Sequence, residues 1–161
     1  RLGVPLLIGE TGLRSEGFQA AEYARDVTEL MDQAKAHWTW WAYGYDDGSM
    51  GLCTAAGDPK PEFQPFLARP YPRATAGTIR DYVFDPATAT FTFTFANREA
   101  MAPEAVIYLN EELHYPGGFE VECSDPAGAW SQSFDAASGL LTVTCDVAQP
   151  SHTITIRPTS R

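Results

Sequence analysis

Thr90-Phe91-Thr92-Phe93-Thr94-Phe95 is the stretch that decides the fold of the second half of the chain. Its strict alternation of threonine and phenylalanine is typical of a β-strand with one buried face and one solvated face. The stretches 141–145 and 153–156 alternate in the same way. Turn-forming sequences at 85–88 and 135–139 flank these strands, and together they predict an antiparallel β-sandwich.

The first part of the chain has another pattern, which predicts strand, helix, strand. Val4–Gly9 is a continuous apolar run, typical of a strand covered on both faces in a parallel sheet. From about 16 to 36 the periodicity predicts an amphipathic helix, with Phe18 on its apolar face and Asp32 on its charged face. Residues 37–43 again favour a strand. Two parallel strands are too few for a domain, so we expect further strands beside them.

A proline-rich segment separates the two patterns. Its prolines favour an extended, semi-rigid backbone and mark a domain boundary. They are Pro59, Pro61, Pro65, Pro70 and Pro72. We therefore expect a first part over residues 1–66, a hinge over 67–76 and the β-sandwich domain over 77–161.

The composition excludes several classes of function. The chain has 161 residues, of which 44% are hydrophobic and 20% charged, and its formal net charge is −10. An acidic chain without a basic run lacks the electrostatic surface that binds nucleic acid, so no such partner is expected. The longest apolar stretch, Val4–Ile8, is far shorter than the ~20 residues of a membrane-spanning helix. Because an apolar strand begins almost at the first residue, we expect a piece of a longer polypeptide.

Glu10 is the residue whose position points most directly to chemistry. It lies in the sequence Gly9-Glu10-Thr11-Gly12, immediately after the apolar run. A carboxylate at the C-terminal end of a parallel strand lies where barrel enzymes build their active sites. The flanking glycines would let substrate and neighbouring backbone approach closely. The alternative is a solvated glutamate at a junction between strand and loop.

The next predicted strand is unusually rich in aromatic residues, from Trp38 to Tyr45. Core packing seldom needs several indoles so close together, because each N–H group requires a partner. Residues of one parity share a face of a strand, so Trp41 and Tyr43 are the pair expected to meet a ligand such as a sugar ring. Trp40 has an equally good interpretation as a core residue. Residues 43–51 would form a loop over the same opening.

The cysteines and histidines give no metal signature. There is neither a Cys-x-x-Cys pair nor a cluster of His and Glu, so no zinc site and no cofactor are expected. Cys123 and Cys145 both fall in or beside sandwich strands, where they form a disulfide or remain two buried thiols. His114 and His152 would be exposed or cap a strand or helix.

Three segments taken together resemble the C-terminal part of endoglycoceramidase-type enzymes of glycoside hydrolase family 5. They are residues 3–12, the aromatic strand 38–44 and the hinge 68–78. The resemblance implies an α/β plus all-β fold, in which residues 1–66 are the last strand-helix-strand portion of a (β/α)8 TIM barrel. The sandwich would follow this catalytic barrel. A single motif such as Gly-Glu-x-Gly is weak evidence for a family, but the three segments occurring in this order are considerably more specific.

The same resemblance implies a retaining β-glycoside hydrolase that releases an oligosaccharide from the ceramide of a glycosphingolipid. Glu10 matches the family's nucleophile, and Trp41, with Trp40 as the alternative, matches a tryptophan that stacks on the sugar. The acid/base carboxyl follows an asparagine in the fourth barrel strand of the family, and no segment of this chain matches it. Thr11 departs from the aromatic residue that many relatives have there, which affects the leaving-group side of the pocket.

The resemblance also implies partners and a location. The chain would need the remainder of the barrel, in the same chain or as a complementary fragment, and would be inactive alone. A secreted protein in peripheral contact with lipid surfaces is expected. The competing hypothesis is a non-catalytic β-sandwich that binds carbohydrate or a lipid surface, through Tyr108, Tyr115 or Trp130, or that only buttresses its neighbour.

Overall fold

The structure is a computed structural model that describes residues 4–44, 50–98 and 101–159. Its internal contacts divide the chain into two compact units, residues 1–68 and 69–161. Within the part of the chain that is described, no helix combines the length and the apolar character needed to cross a membrane.

The first unit is a strand-helix-strand motif followed by a short helix. Its elements are β1 (Leu7–Thr11), α1 (Ala20–Ala34), β2 (His37–Trp40) and α2 (Gln64–Leu67). The two strands pair in parallel, with Leu7 opposite His37 and Thr11 opposite Trp40. The predicted order and the parallel pairing are therefore confirmed.

Helix α1 is shorter than the periodicity predicted, because left-handed residues bound it at both ends. Gln19 precedes it with φ 54°, and Lys35 ends it with φ 52°, its N–H bonding back to the carbonyl of Asp32. The expectation for Phe18 was wrong, since Phe18 lies in the loop before the helix with 89% of its surface exposed. Asp32 was expected on the charged face but is buried.

The apolar run before Gly9 also differs from its prediction. The strand begins only at Leu7, and Val4, Leu6 and Leu7 are 68%, 52% and 63% exposed, rather than covered on both faces. Since β1 and β2 are the two strands that residues 4–44 and 50–68 contribute to this sheet, these side chains have few neighbours to pack against.

The second unit confirms the antiparallel sandwich. Its elements are β3 (Tyr71–Thr75), β4 (Thr78–Asp85), β5 (Thr90–Ala96), β6 (Glu104–Tyr108), α3 (Glu111–His114), β7 (Phe119–Cys123), β8 (Ser131–Asp135), β9 (Leu140–Thr144) and β10 (Ser151–Pro158). One sheet has the order β4-β5-β10-β7 and the other β3-β6-β9-β8.

The alternating stretch of threonine and phenylalanine in β5 forms the centre of the sandwich core. Phe91, Phe93 and Phe95 on β5 have no exposed surface, while the threonines between them point to the other face. Aliphatic side chains from β6, β9 and β10 complete this core, namely Ile107, Leu141, Val143, Ile154 and Ile156. Each fully buried side chain of this size contributes about 1.5–3 kcal/mol of transfer free energy.

The segment assigned to a hinge, residues 67–76, contains strand β3, and the contacts divide the two units between Ala68 and Arg69. Proline obscured this strand in the sequence, because it cannot donate a ladder hydrogen bond. The structure accommodates Pro72 because β3 lies at the edge of its sheet, with β6 as its one neighbour among the described strands. The register shift between Pro72 and Ala74 also lies at this point.

Two turns of the sandwich are built in the same way around an aspartate. The carboxylate of Asp85 accepts hydrogen bonds from the Ala87 N–H, at 2.9 Å, and from the Thr88 hydroxyl, at 2.8 Å. Asp135 accepts from the Ala137 N–H at 3.1 Å and from the Ser138 hydroxyl at 2.6 Å. Both hydrogen bonds lower the pKa of each aspartate; the bond from the hydroxyl has the larger effect and the bond from the N–H the next largest.

A buried polar network joins three distant segments of the sandwich. His152 has no exposed surface, and its Nδ1 lies 2.8 Å from a carboxylate oxygen of Asp125. Its Nε2 lies 2.7 Å from Asn97 Oδ1. The Asn97 amide nitrogen donates to the Gln149 carbonyl, which leaves its Oδ1 facing the His152 ring. Asp125 also accepts from the Asp146 N–H, at 2.7 Å.

We expect Asp125→Asn to destabilise the sandwich by about 3 kcal/mol, because it leaves a buried donor without its charged acceptor. Glu122→Gln is the matched control, since Glu122 forms an exposed ion pair with Arg157 and its loss should cost less than ~1 kcal/mol. Denaturant unfolding of the two variants measures both losses. Equal losses would show that the buried network contributes no more than the surface pair.

The two aspartate turns predict a pH effect of defined sign. A carboxylate with a lowered pKa contributes stability that is complete above its unfolded pKa of about 3.9 and is lost as the pH falls through the folded value. The carboxyl groups of Asp85 and Asp135 should therefore titrate below about 3.9 in an NMR titration.

Ser138→Ala should raise the pKa of Asp135 and leave that of Asp85 unchanged, because only Asp135 loses its hydroxyl donor. Thr88→Val should have the reciprocal effect. If neither substitution changes the pKa of the aspartate in its own turn, the hydroxyl groups are not the cause of the lowered pKa values.

Candidate functional site

The candidate site lies at the C-terminal end of the parallel pair β1 and β2. Glu10 is the penultimate residue of β1, and its side chain is exposed. Because parallel strands end at the same edge of a sheet, Glu10 and the residues after Trp40 lie at one edge. The Trp41 N–H continues the pairing past β2 by donating to the Thr11 carbonyl at 2.7 Å.

Gly12 permits a close approach between the ends of the two strands. A Cβ atom at Gly12 would lie 2.5 Å from the Trp41 carbonyl oxygen and 3.2 Å from Met50 Sδ. Since the first neighbour is backbone, a side chain at this position would force the two strand ends apart. The peptide bond between Trp41 and Ala42 is cis, and the Ala42 N–H donates to the Met50 carbonyl at 3.2 Å.

The aromatic residues divide into a packed group and an exposed group. Trp40 is half-buried, its ring centroid lies 5.3 Å from that of Phe63, and its indole N–H donates to the Met50 carbonyl at 3.2 Å. Trp41 and Tyr43, in contrast, are 53% and 82% exposed. Trp40 thus has a packing role, while Trp41 and Tyr43 have surfaces free for a ligand. Most of the loop predicted over 43–51 lies outside the described residues.

Two hydrogen bonds near Glu10 were not foreseen from the sequence. The hydroxyls of Thr11 and Tyr23 are 3.2 Å apart, which ties the end of β1 to helix α1. The Thr39 hydroxyl donates to the Gly9 carbonyl, which ties β1 to β2. The register between β1 and β2 shifts between Ile8 and Thr11, at the segment that contains Glu10. No pattern in the sequence singles out Tyr23.

The histidines of the sandwich are structural, which corrects the expectation that they are exposed or capping. His152 belongs to the buried network with Asp125, and His114 is buried with its ring centroid 4.8 Å from that of Phe84. The sequence could not show this burial, because a histidine in an alternating strand is compatible with either face.

The aromatic residues expected to serve a binding sandwich do not form one exposed surface. Tyr115 is fully buried, and Trp130 is half-buried against the core. Tyr108 packs against Tyr71, with ring centroids 5.3 Å apart. It borders an open pocket of about 350 Å³ whose other lining residues include Glu111 and Phe134. This arrangement gives the competing hypothesis little support.

One group of potential metal ligands comes together in the sandwich, where the sequence spacing had given no signal. The Sγ atoms of Cys123 and Cys145 and a carboxylate oxygen of Asp125 lie within 4.8 Å of one another. Burial is the main cause that raises the pKa of both thiols. Both cysteines are free thiols in the structure, as is Cys53 in the first unit.

Comparison with known proteins points to one family. The model of the glycoside hydrolase family 5 C-terminal domain matches residues 69–157. An endoglycoceramidase from Hydra vulgaris is 29% identical over 102 residues, which cover 60% of this chain and 20% of the relative.

Solved structures of endo-glycoceramidase II from Rhodococcus sp. match almost the whole chain. Its lactosyl-enzyme intermediate has a TM-score of 0.80 at 27% identity, covering 99% of this chain and 34% of that one. Its ganglioside GM3 complex has a TM-score of 0.80 at 26% identity, covering 98% and 32%. The chain therefore spans about a third of the length of these structures, and less of the Hydra relative.

The family model covers more than half of the chain, and the structural match extends over both units. The chain therefore belongs to the glycoside hydrolase family 5 C-terminal domain family, as a sequence of the endoglycoceramidase type.

Proposed function

We propose that the chain is the nucleophile-bearing part of a retaining β-glycoside hydrolase that releases oligosaccharide from the ceramide of glycosphingolipids. The observation that carries this proposal is Glu10, exposed at the C-terminal end of a parallel strand and beside the exposed Trp41. The similarity to endo-glycoceramidase II, which has been solved as a lactosyl-enzyme intermediate and as a ganglioside GM3 complex, supports both the mechanism and the substrate class.

In this mechanism, Glu10 attacks the anomeric carbon of the sugar and forms a covalent glycosyl-enzyme. A second carboxyl protonates the leaving oxygen and then activates the water that hydrolyses the intermediate, and the two carboxyls lie about 5–5.5 Å apart. The second carboxyl would come from the remainder of the barrel, so this chain alone would be inactive.

Trp41 and Tyr43 would bind the sugar next to the cleaved bond. An indole face stacks on the apolar C–H face of a sugar ring, and the exposure of Trp41 leaves that surface free. The contact between Gly12 and the Trp41 carbonyl fixes the end of one strand against the other. The positions of the nucleophile and of the stacking residue are therefore coupled through backbone atoms.

The first unit would be the end of a (β/α)8 barrel. Val4, Leu6 and Leu7 are more exposed than is usual for strand residues of this type, and further barrel strands and helices would cover them. The sandwich, whose outer surface lacks a continuous aromatic patch among the described residues, would buttress this barrel. We also place the protein outside the cell, where glycosphingolipids of a lipid surface are accessible.

In the full-length enzyme, Glu10→Gln should lower kcat by about four orders of magnitude or more, because it removes the nucleophile. A 2-fluoro β-glycoside inactivator should leave a sugar on Glu10 of the unsubstituted enzyme, detected by peptide mapping. Glu16→Gln is the matched control, since Glu16 is another exposed glutamate a few residues later, and it should keep full activity. A sugar on another residue, or an active Glu10→Gln enzyme, would refute the assignment.

Trp41→Ala should lower kcat/KM by roughly tenfold, as expected for an aromatic contact of about 1 kcal/mol or slightly more. Its melting temperature should change little, because Trp41 is already half-exposed. Trp41→Phe should retain most of the activity. Trp40→Ala should instead lower the stability, because Trp40 packs on Phe63. A loss of activity in Trp40→Ala and a loss of stability in Trp41→Ala would show that the two tryptophans have the opposite roles.

A further inference from the structure

Cys123 and Cys145 lie opposite each other between the two sheets of the sandwich. Cys123 is the last residue of β7, in the sheet β4-β5-β10-β7, whereas Cys145 directly follows β9 in the other sheet. Their Sγ atoms are within 4.8 Å of each other, although residues 124–144 separate them in the sequence.

The two thiols differ in their access to solvent. Cys145 is 5% exposed, whereas Cys123 is only partly buried, at the end of its strand. A small disulfide in solution can therefore react with Cys123 first, and Cys145 lies in position to displace it. Burial raises the pKa of both thiols and the neighbouring Asp125 carboxylate raises it further, so neither is an activated nucleophile. These are the properties of a structural pair.

We propose that Cys123 and Cys145 form a disulfide that covalently joins the two sheets of the sandwich. Oxidised glutathione, or another small disulfide of an oxidising compartment, is the oxidant. Cys123 attacks one of its sulfur atoms and releases one thiol, and Cys145 then attacks the mixed disulfide and releases the second. Two protein thiols become one disulfide, and the two electrons and two protons leave in the two small thiols.

The surroundings of Asp125 favour a disulfide over a metal ion at this place. The Asp125 carboxylate already accepts from the His152 ring and from the Asp146 N–H, so its charge and its oxygens are engaged. A metal ion here would have the two cysteine sulfurs as ligands. Its third ligand would be the Asp125 carboxylate, for which it would compete with His152. A disulfide is neutral, and it leaves the buried pair of Asp125 and His152 intact.

A bond at this position would stabilise the sandwich through the unfolded state. The disulfide would close a loop that includes the edge strand β8. Closing a loop reduces the conformational entropy of the unfolded chain, and the reduction is larger for a longer loop. Reduction should therefore lower the melting temperature by roughly 10 °C or more for a domain of this size.

The test uses the full-length protein, recovered from an oxidising secretory compartment and alkylated under denaturing conditions. We expect a linked peptide pair that contains Cys123 and Cys145, with the mass of two hydrogen atoms missing, while Cys53 is alkylated. Cys53→Ser should keep the linked pair and the redox-dependent melting temperature. The double variant Cys123→Ser with Cys145→Ser should melt at one temperature with and without reductant.

Two results would overturn the proposal. The first is alkylation of both Cys123 and Cys145 in the unsubstituted protein from the oxidising compartment. The second is about one zinc ion per chain that is absent from the double variant, which would establish a metal site instead. Peptide mapping of the unsubstituted protein decides the question even if the double variant does not fold.

Discussion

The backbone contact between Gly12 and the Trp41 carbonyl is the constraint on which the candidate site depends. It brings the ends of β1 and β2 closer than any side chain at position 12 would allow. The hydrogen bond from the Trp41 N–H to the Thr11 carbonyl holds the same two ends together. Glu10 and the aromatic residues therefore lie at one edge of the sheet, although they belong to different strands. In the mechanism proposed for this chain, the distance between nucleophile and stacking residue follows from this contact.

The parts of the fold that were predictable from the sequence are those with local patterns. The alternation from Thr90 to Phe95 identified β5 and its buried face, because a strand with one wet face repeats every two residues. The position of Glu10 could be predicted in the same way, since it follows a clear apolar run. The role of Glu10 came from the resemblance to a family, because many glutamates at strand ends have no function.

The parts that were missed depend on contacts between distant residues. Proline hid β3, whose position at a sheet edge only the pairing with β6 reveals. The burial of His152 depends on Asn97 and Asp125, and no local pattern connects these three residues. The proximity of Cys123 to Cys145 likewise follows from the way two sheets face each other. In the first unit, Phe18 fits the helical period but lies outside the helix, because Gln19 is left-handed.

The position of β10 has a consequence for the order in which the sandwich is built during synthesis. β10 is the last described strand of the chain, yet it lies between β5 and β7 in the middle of its sheet. While a ribosome still covers residues 151–158, β5 is paired with β4 alone and β7 lacks the neighbour that it has in the sheet, so the phenylalanines of β5 remain partly open to water. Contacts of such large sequence separation form slowly, since much of the chain must be ordered first. We therefore expect the sandwich to complete its core only after β10 has emerged from the ribosome. Until then, the incomplete sandwich exposes apolar side chains of the kind that chaperones bind.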